Sequence, residues 1–258
     1  MKKWKTLLPL LLAVCMIISC RKSTIEQGLP GDASNKLVGN KHSRVKSKFN
    51  QFDTTNFYWN KEGGLDSMIT WGKYSKTRYI VYGKGIYIDS IYNYFGNYLE
   101  NKWVNFRYDD LDRLTTYTRL IPRYPPDYAE RNILTYDAQG HLSTVKWELP
   151  FFKVENYYTY NNDNDVVWHK LFLWGSGDHI TTMRTDNNLN PFYNVMALYI
   201  IFGANEEQQQ VLCKHNLTEA YREYEGSTIS FRNEYDHHGR LIKRTDLNYG
   251  GYYEFSYY

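Results

Sequence analysis

Six times along this chain an aromatic residue precedes Asn or Asp, then two variable residues, a residue tolerant of positive φ and, within two positions, an apolar side chain. The copies are Trp59-Asn60-Lys61-Glu62-Gly63-Gly64-Leu65, Tyr92-Asn93-Tyr94-Phe95-Gly96-Asn97-Tyr98, Tyr108-Asp109-Asp110-Leu111-Asp112-Arg113-Leu114, Tyr136-Asp137-Ala138-Gln139-Gly140-His141-Leu142, Tyr160-Asn161-Asn162-Asp163-Asn164-Asp165-Val166 and Tyr235-Asp236-His237-His238-Gly239-Arg240-Leu241. An Asx side chain at the first turn position can bond the backbone two residues on. The fourth turn position of a type I turn closed by a G1 bulge is left-handed. Here it holds Gly63, Gly96, Asp112, Gly140, Asn164 and Gly239, all of types that tolerate that conformation. Each unit reads as a β-hairpin tip, with Asp109, Asp112, Asp137, Gly140, Asn161, Asn164, Asp236 and Gly239 as structural turn residues.

The flanks alternate as hairpin arms should: Phe106 and Tyr108, Leu134 and Tyr136, and Tyr158 and Tyr160 share faces, while Leu114, Leu142, Val166 and Leu241 open the returning strands. The 26 Tyr and 7 Trp suit a pleated, half-buried surface. The expectation is an all-β antiparallel meander of repeated hairpins, roughly fourteen to sixteen strands in one domain over residues 51–258. A degenerate copy, Asp186-Asn187-Asn188-Leu189-Asn190-Pro191, interrupts the series. The nearly all-apolar run after it suggests one short buried helix near 191–203. Asn190 would cap it, Pro191 would be its first residue and Gly203 its stop. A fully buried strand is the alternative. Residues 204–214 read as a polar loop.

The N-terminus places the chain in a cell. Lys2, Lys3 and Lys5 precede an apolar run over 7–18, shorter than the about 20 residues of a bilayer span and fitting an export signal. It ends in Ile17-Ile18-Ser19-Cys20, which resembles the bacterial lipobox, with Ile17 where Leu is commonest. That motif implies a signal peptide over 1–19 and a lipidated Cys20, the mature chain being a lipoprotein held to a membrane by palmitate-type acylation. Arg21, where an inner-membrane retention signal usually carries Asp, leans toward the outer membrane. Residues 20–50 are polar and aperiodic and read as a flexible tether. Signal removal takes three of the 31 Lys and Arg and none of the 28 Asp and Glu, leaving a formally neutral chain. That disfavours nucleic acid as a partner. Cys213 becomes the lone thiol, so no intramolecular disulfide can form.

Tyr235 to Leu241 closely matches, and Tyr136 to Leu142 nearly matches, the Tyr-Asp-x-x-Gly-Arg-Leu unit of YD repeats in Rhs-type proteins. With the lipobox and Asp186 to Phe192, the chain resembles YD-repeat-like lipoproteins of Bacteroidetes with no assigned function. The resemblance spans most of 59–258 and implies a β-rich shell, either a coiled or a barrel-like sheet. It does not imply the toxin role of large Rhs proteins.

Catalytic signatures do not emerge. The chain has no Gly-x-Ser-x-Gly, no His-Glu-x-x-His, no phosphate loop and no dinucleotide fingerprint. His237-His238 in a hairpin tip would diverge, and Asp109, Asp110, Asp112, Asp163 and Asp165 lack an EF-hand loop, so no metal or cofactor is expected. A non-enzymatic envelope protein that binds or scaffolds is the first reading. The second is a glycan-binding accessory protein of a polysaccharide-uptake system, using Trp59, Trp71, Trp103, Trp147, Trp168 and Trp174 as an aromatic platform. The alternative for those tryptophans is core packing. A hydrolase with an unrecognised site is the third.

Overall fold

The computed structural model describes residues 45–49, 52–62, 64–72, 76–84, 87–124, 129–149, 153–173, 175–203 and 206–258. Cys20, the signal segment, Gly63 and Trp174 lie outside them. The strands are β1 (Val45–Phe49), β2 (Asp53–Trp59), β3 (Leu65–Gly72), β4 (Lys76–Lys84), β5 (Tyr87–Phe95), β6 (Tyr98–Tyr108), β7 (Leu114–Leu120) and β8 (Glu130–Tyr136). They continue as β9 (Leu142–Glu148), β10 (Lys153–Tyr160), β11 (Val166–Leu173), β12 (Gly177–Leu189), β13 (His215–Arg222), β14 (Ser227–Tyr235), β15 (Leu241–Asp246) and β16 (Tyr252–Tyr257). Each pairs antiparallel with its neighbours in sequence, and β1 also pairs with β16, closing a sixteen-strand barrel. The seam is set by Lys48, whose register partners are Thr55 on one side and Phe255 on the other.

The barrel therefore begins at Val45, inside the stretch assigned to the tether. Ser47 and Lys48 carry no apolar alternation, so the strand is invisible until its two partners are in place. Lys48 faces inward with its ammonium over the Tyr253 ring, 3.2 Å from the centroid.

Four hairpin tips share one geometry. In each, the Asx Oδ1 accepts the backbone N–H groups two and four residues on: Leu111 and Arg113 to Asp109 (3.0 and 2.9 Å), Gln139 and His141 to Asp137 (3.0 and 2.8 Å), Asp163 and Asp165 to Asn161 (2.9 Å each), His238 and Arg240 to Asp236 (2.9 Å each). The fourth residue is left-handed, with φ of 61° at Asp112, 90° at Gly140, 66° at Asn164 and 75° at Gly239. Asn60 forms the related clasp with Gly64 N–H at 2.7 Å.

The tips are also tied to one another. At three of these tips the Tyr before the Asx donates its hydroxyl to a carbonyl at the start of the previous returning strand, Tyr108 to Ile88 (3.3 Å), Tyr136 to Leu114 (2.8 Å) and Tyr160 to Leu142 (3.0 Å), whereas Tyr235 donates to the Asp186 carboxylate. Tyr257 donates to the Leu241 carbonyl at 2.8 Å. The residue after the left-handed position completes the link. Arg113 binds Asp109 and lies 4.6 Å over the Tyr136 ring; Arg240 binds Asp236 and lies 4.8 Å over Tyr257. His141 contacts Asp137 and stacks 4.7 Å from Tyr160. The next apolar residue, Leu65, Leu114, Leu142, Val166 or Leu241, is buried. Every position of the repeated unit thus has a physical task.

Gly140 gives the simplest test. A Cβ there would meet only Arg113 Nη1, at 4.0 Å, so the cost of a side chain is the left-handed backbone itself. Gly140→Ala should lower stability by about 1–2 kcal/mol in a urea melt. A change near zero would show that this tip relaxes to another turn.

Two units differ from the sequence expectation. The Tyr92 copy is not an Asx turn: β5 continues to Phe95, Gly96-Asn97 form a two-residue loop with Gly96 at φ 59°, and Asn93 is buried inside the wall. Gly-Asn is itself a tight-hairpin signal, and it overrides the longer unit. The Asp186 copy stays within β12 as a bulge, where the register jumps from Thr185↔Leu217 to Leu189↔His215.

The apolar run after Asn190 forms turns, then α1 (Met196–Phe202), ended by Gly203 at φ 64°. Pro191 is not helical and Val195 is the N-cap. A second helix, α2 (Glu206–Leu212), stands where a polar loop was expected. Asn190 takes the Phe192 N–H (2.9 Å) and donates to the Gln210 and Cys213 carbonyls (2.7 and 2.8 Å), pinning the start of the apolar run to the end of α2.

Candidate functional site: a plugged interior and a two-sector outer wall

Sixteen strands enclose enough space for a channel. Here α1 and α2 fill it from the end that carries the Asx tips. Leu198 and Tyr199 are fully buried, and the Tyr199 hydroxyl pairs with that of Tyr158 on β10 at 2.9 Å. Phe192 packs edge-on against Phe255 of β16. Two glutamines of α2 bolt the plug to polar groups on the inner wall. Gln209 Nε2 donates to His169 Nδ1 at 2.6 Å, so the proton of the neutral ring sits on Nε2, which reaches Asn156 Oδ1 at 3.0 Å. Gln210 accepts from Arg244, whose Nε donates to Asn233 Oδ1 at 2.9 Å. Beside them, Asp165 receives the His215 backbone N–H (2.7 Å) and the Thr185 hydroxyl (2.9 Å) and contacts the His215 ring.

The chemistry of these groups is structural. Burial pushes His169 down to about 3 and raises Cys213 to about 12, leaving a neutral imidazole with both nitrogens engaged and a protonated thiol. Neither is poised as a base or nucleophile. Among the described residues no three His, Cys, Asp or Glu converge as metal ligands. The His237 and His238 rings lie against each other in the tip of the last Asx unit.

Polarity across the wall is the decisive feature. Inward positions hold the core residues Phe57, Met68, Ile91, Trp103, Val145, Tyr158, Met183, Ala220 and Phe255, together with buried polar side chains such as Lys48, Asn93, Asn132, Asn156, His169 and Arg244. Outward positions from β8 to β16 interleave aromatic and apolar side chains, among them Ile133, Tyr157, Trp168, Phe172, Ile180 and Tyr221, with charged ones joined in pairs. Cross-strand ion pairs join Arg131 to Glu148 (3.9 Å), Lys146 to Glu155 (2.9 Å), Lys170 to Asp178 (2.6 Å), Arg184 to Glu219 (3.4 Å) and Lys243 to Glu254 (3.9 Å). The Lys146 contact, with the Tyr157 hydroxyl, holds the Glu155 carboxyl below its ordinary range. A membrane-spanning barrel has the reverse arrangement, an apolar outer band about 25 Å tall, and each Arg or Lys at its midplane costs about 2–4 kcal/mol. The charged pairs on β8–β16 depart from that arrangement.

The sector from β3 to β6 is different. Its outward rows read Trp71 beside Lys76, then Ile69, Arg78 and Tyr94, then Ser67, Ile80, Tyr92 and Lys102, then Tyr82 beside Ser90. Each cation rests on a ring: Lys76 3.9 Å from Trp71, Arg78 4.9 Å from Tyr94, Lys102 5.0 Å from Tyr92.

The tryptophans expected to form a platform are not brought together. Trp103 is in the core, Trp59 and Trp147 pack against it, Trp168 is half-buried on β11, and of these five described tryptophans Trp71 alone is exposed, at 49%. The aromatic–cationic sector was missed because only cross-strand register assembles it. The one local signal was Lys76, Arg78, Ile80 and Tyr82 alternating along β4.

No family model matches the chain, and no curated protein matches it. Among solved structures it is similar to a porin-like protein from Bacteroides uniformis, 11% identical over 83% of this chain and 98% of that one, with a TM-score of 0.58. A porin-like protein from Bacteroides vulgatus aligns over the same shares at 9% identity and a TM-score of 0.38. The first similarity establishes a shared barrel architecture.

Proposed function

We propose that this protein is a lipid-anchored envelope lipoprotein, exported under residues 1–19, cut before Cys20 and held to the outer membrane by lipid on that cysteine. Its barrel stands in water and serves as a non-enzymatic binding or scaffolding body. The observation that carries this reading is the polarity of the wall. With cross-strand ion pairs over the outer face of β8–β16 and α1 and α2 packed into the interior, the barrel has no bilayer-spanning role on this reading, and membrane attachment falls to the lipobox. The tyrosine-linked tips support kinship with YD-repeat-like lipoproteins of Bacteroidetes, since each position of that consensus has a packing role here.

Cells making the full chain and fed tritiated palmitate should label it, and the Cys20→Ala chain should carry no label. The wild-type protein should stay with membranes through a carbonate wash that releases the variant. A Cys20→Ala chain that still takes up the palmitate label would place the lipid elsewhere, and the reading would be abandoned.

A further inference from the structure

The geometry points to the β3–β6 sector of the outer wall as a binding surface for an acidic polysaccharide. The inference rests on the reading of that wall as water-exposed and adds a ligand to it. The formally neutral mature chain segregates its charge. From β8 to β16 the outward Lys and Arg named above have carboxylate partners within 4.0 Å. Lys76, Arg78 and Lys102 take part in no ion pair among the described residues, and the carboxylate beside their rows, Glu100 at the β6 bulge, accepts from the Asn93 amide at 3.1 Å. The exposed acids on these strands, Asp66 and Asp89, lie beyond Ser67 and Ser90, toward the Asx-tip end.

The three charges are also held in place. A cation seated on an aromatic face loses little freedom when it meets an anion, and the ring compensates part of its charge without neutralising it. Lys76 and Arg78, two apart on one strand, are about 7 Å apart along it, and Lys102, two strands over, adds about 10 Å across. A row of fixed positive charges at such intervals, on a flat wall rather than in a pocket, suits a linear polyanion with a carboxylate on successive sugars. Around the row, Trp71 and Tyr82 keep about half their surface open, at 49% and 52%. The C–H faces of pyranose rings pack on such surfaces.

The test is affinity electrophoresis of the full-length protein in detergent, through gels containing polygalacturonate or neutral dextran. Polygalacturonate should retard the protein and dextran should not, and added salt should weaken the retardation. Lys76→Gln, Arg78→Gln and Lys102→Gln together should raise the apparent Kd about tenfold or more. Lys146→Gln, Lys170→Gln and Lys243→Gln, on the charge-paired wall, should leave it within about twofold. The inference is overturned by an unretarded wild type, by equal retardation in dextran, or by equal losses in the two triple variants. It is also overturned if a Cys20→Ser full-length chain binds phosphatidylglycerol vesicles more tightly than polygalacturonate, which would make the sector a lipid-facing one. Palmitate labelling reports on the anchor separately, so the two proposals fail independently.

Discussion

Tyr199→Ala should be the most destabilising single substitution in the plug, costing about 3–5 kcal/mol through the cavity it opens. Tyr199 is fully buried, and its hydroxyl is paired with that of Tyr158. Truncation therefore removes an aromatic ring from the centre of the barrel and leaves the Tyr158 hydroxyl buried without that partner. Tyr199→Phe keeps the ring and should cost only about 1–2 kcal/mol. The comparison of the two in urea melts is the measurement. If alanine and phenylalanine cost the same, the helices add nothing to the packing of the wall, and the barrel is stable hollow.

Acid should loosen the same junction. His169 titrates near 6.5 when unfolded and near 3 when folded, because burial disfavours its charged form. Below pH 6.5 the unfolded chain takes up a proton that the folded chain refuses, so stability is complete above that pH and falls as the medium acidifies toward pH 3. The loss from this one group is about 2 kcal/mol by pH 5 and about 4 kcal/mol by pH 3, approaching a ceiling of about 5 kcal/mol below that. His169→Gln removes the titration. The variant starts less stable at neutral pH, since it breaks the Gln209–His169–Asn156 chain, but its stability should decline less steeply between pH 6.5 and 4. Parallel decline in both proteins would assign the acid sensitivity to other groups. Carboxylates such as Asp109, held below its usual range by the Arg113 guanidinium, act lower on the scale and in both proteins alike.

What could be read from the residue string was local chemistry. An Asx followed three places later by Gly, Asn or Asp marks the four regular tips at Asp109, Asp137, Asn161 and Asp236, which were legible, while at Asn93 the tighter Gly96-Asn97 loop overrides the same signal. Alternation in the arms then gave the meander. Closure was not legible, because it depends on Ser47 and Lys48, two polar residues whose strand exists only between β2 and β16. Nor was α2, whose Gln209 and Gln210 look like loop residues until His169 and Arg244, 40 and 34 positions away, supply their partners. The tryptophans misled for the opposite reason. Their type suggested a common surface, but strand parity sends Trp103 inward and Trp71 outward. The sector with unpaired charge uses ordinary residues made distinctive only by their neighbours across the sheet.

Sealing the first strand onto the last has a consequence for biogenesis. Ser47 meets Ser256, 209 residues later, hydroxyl to hydroxyl at 2.7 Å. A polypeptide made from its amino end must therefore wait for β16 before the cylinder can shut. Until then β1 offers a naked edge to any other extended chain. Completion is all-or-none in timing, and a ribosome that stops short of β16 releases an open, adhesive sheet instead of a slightly smaller barrel.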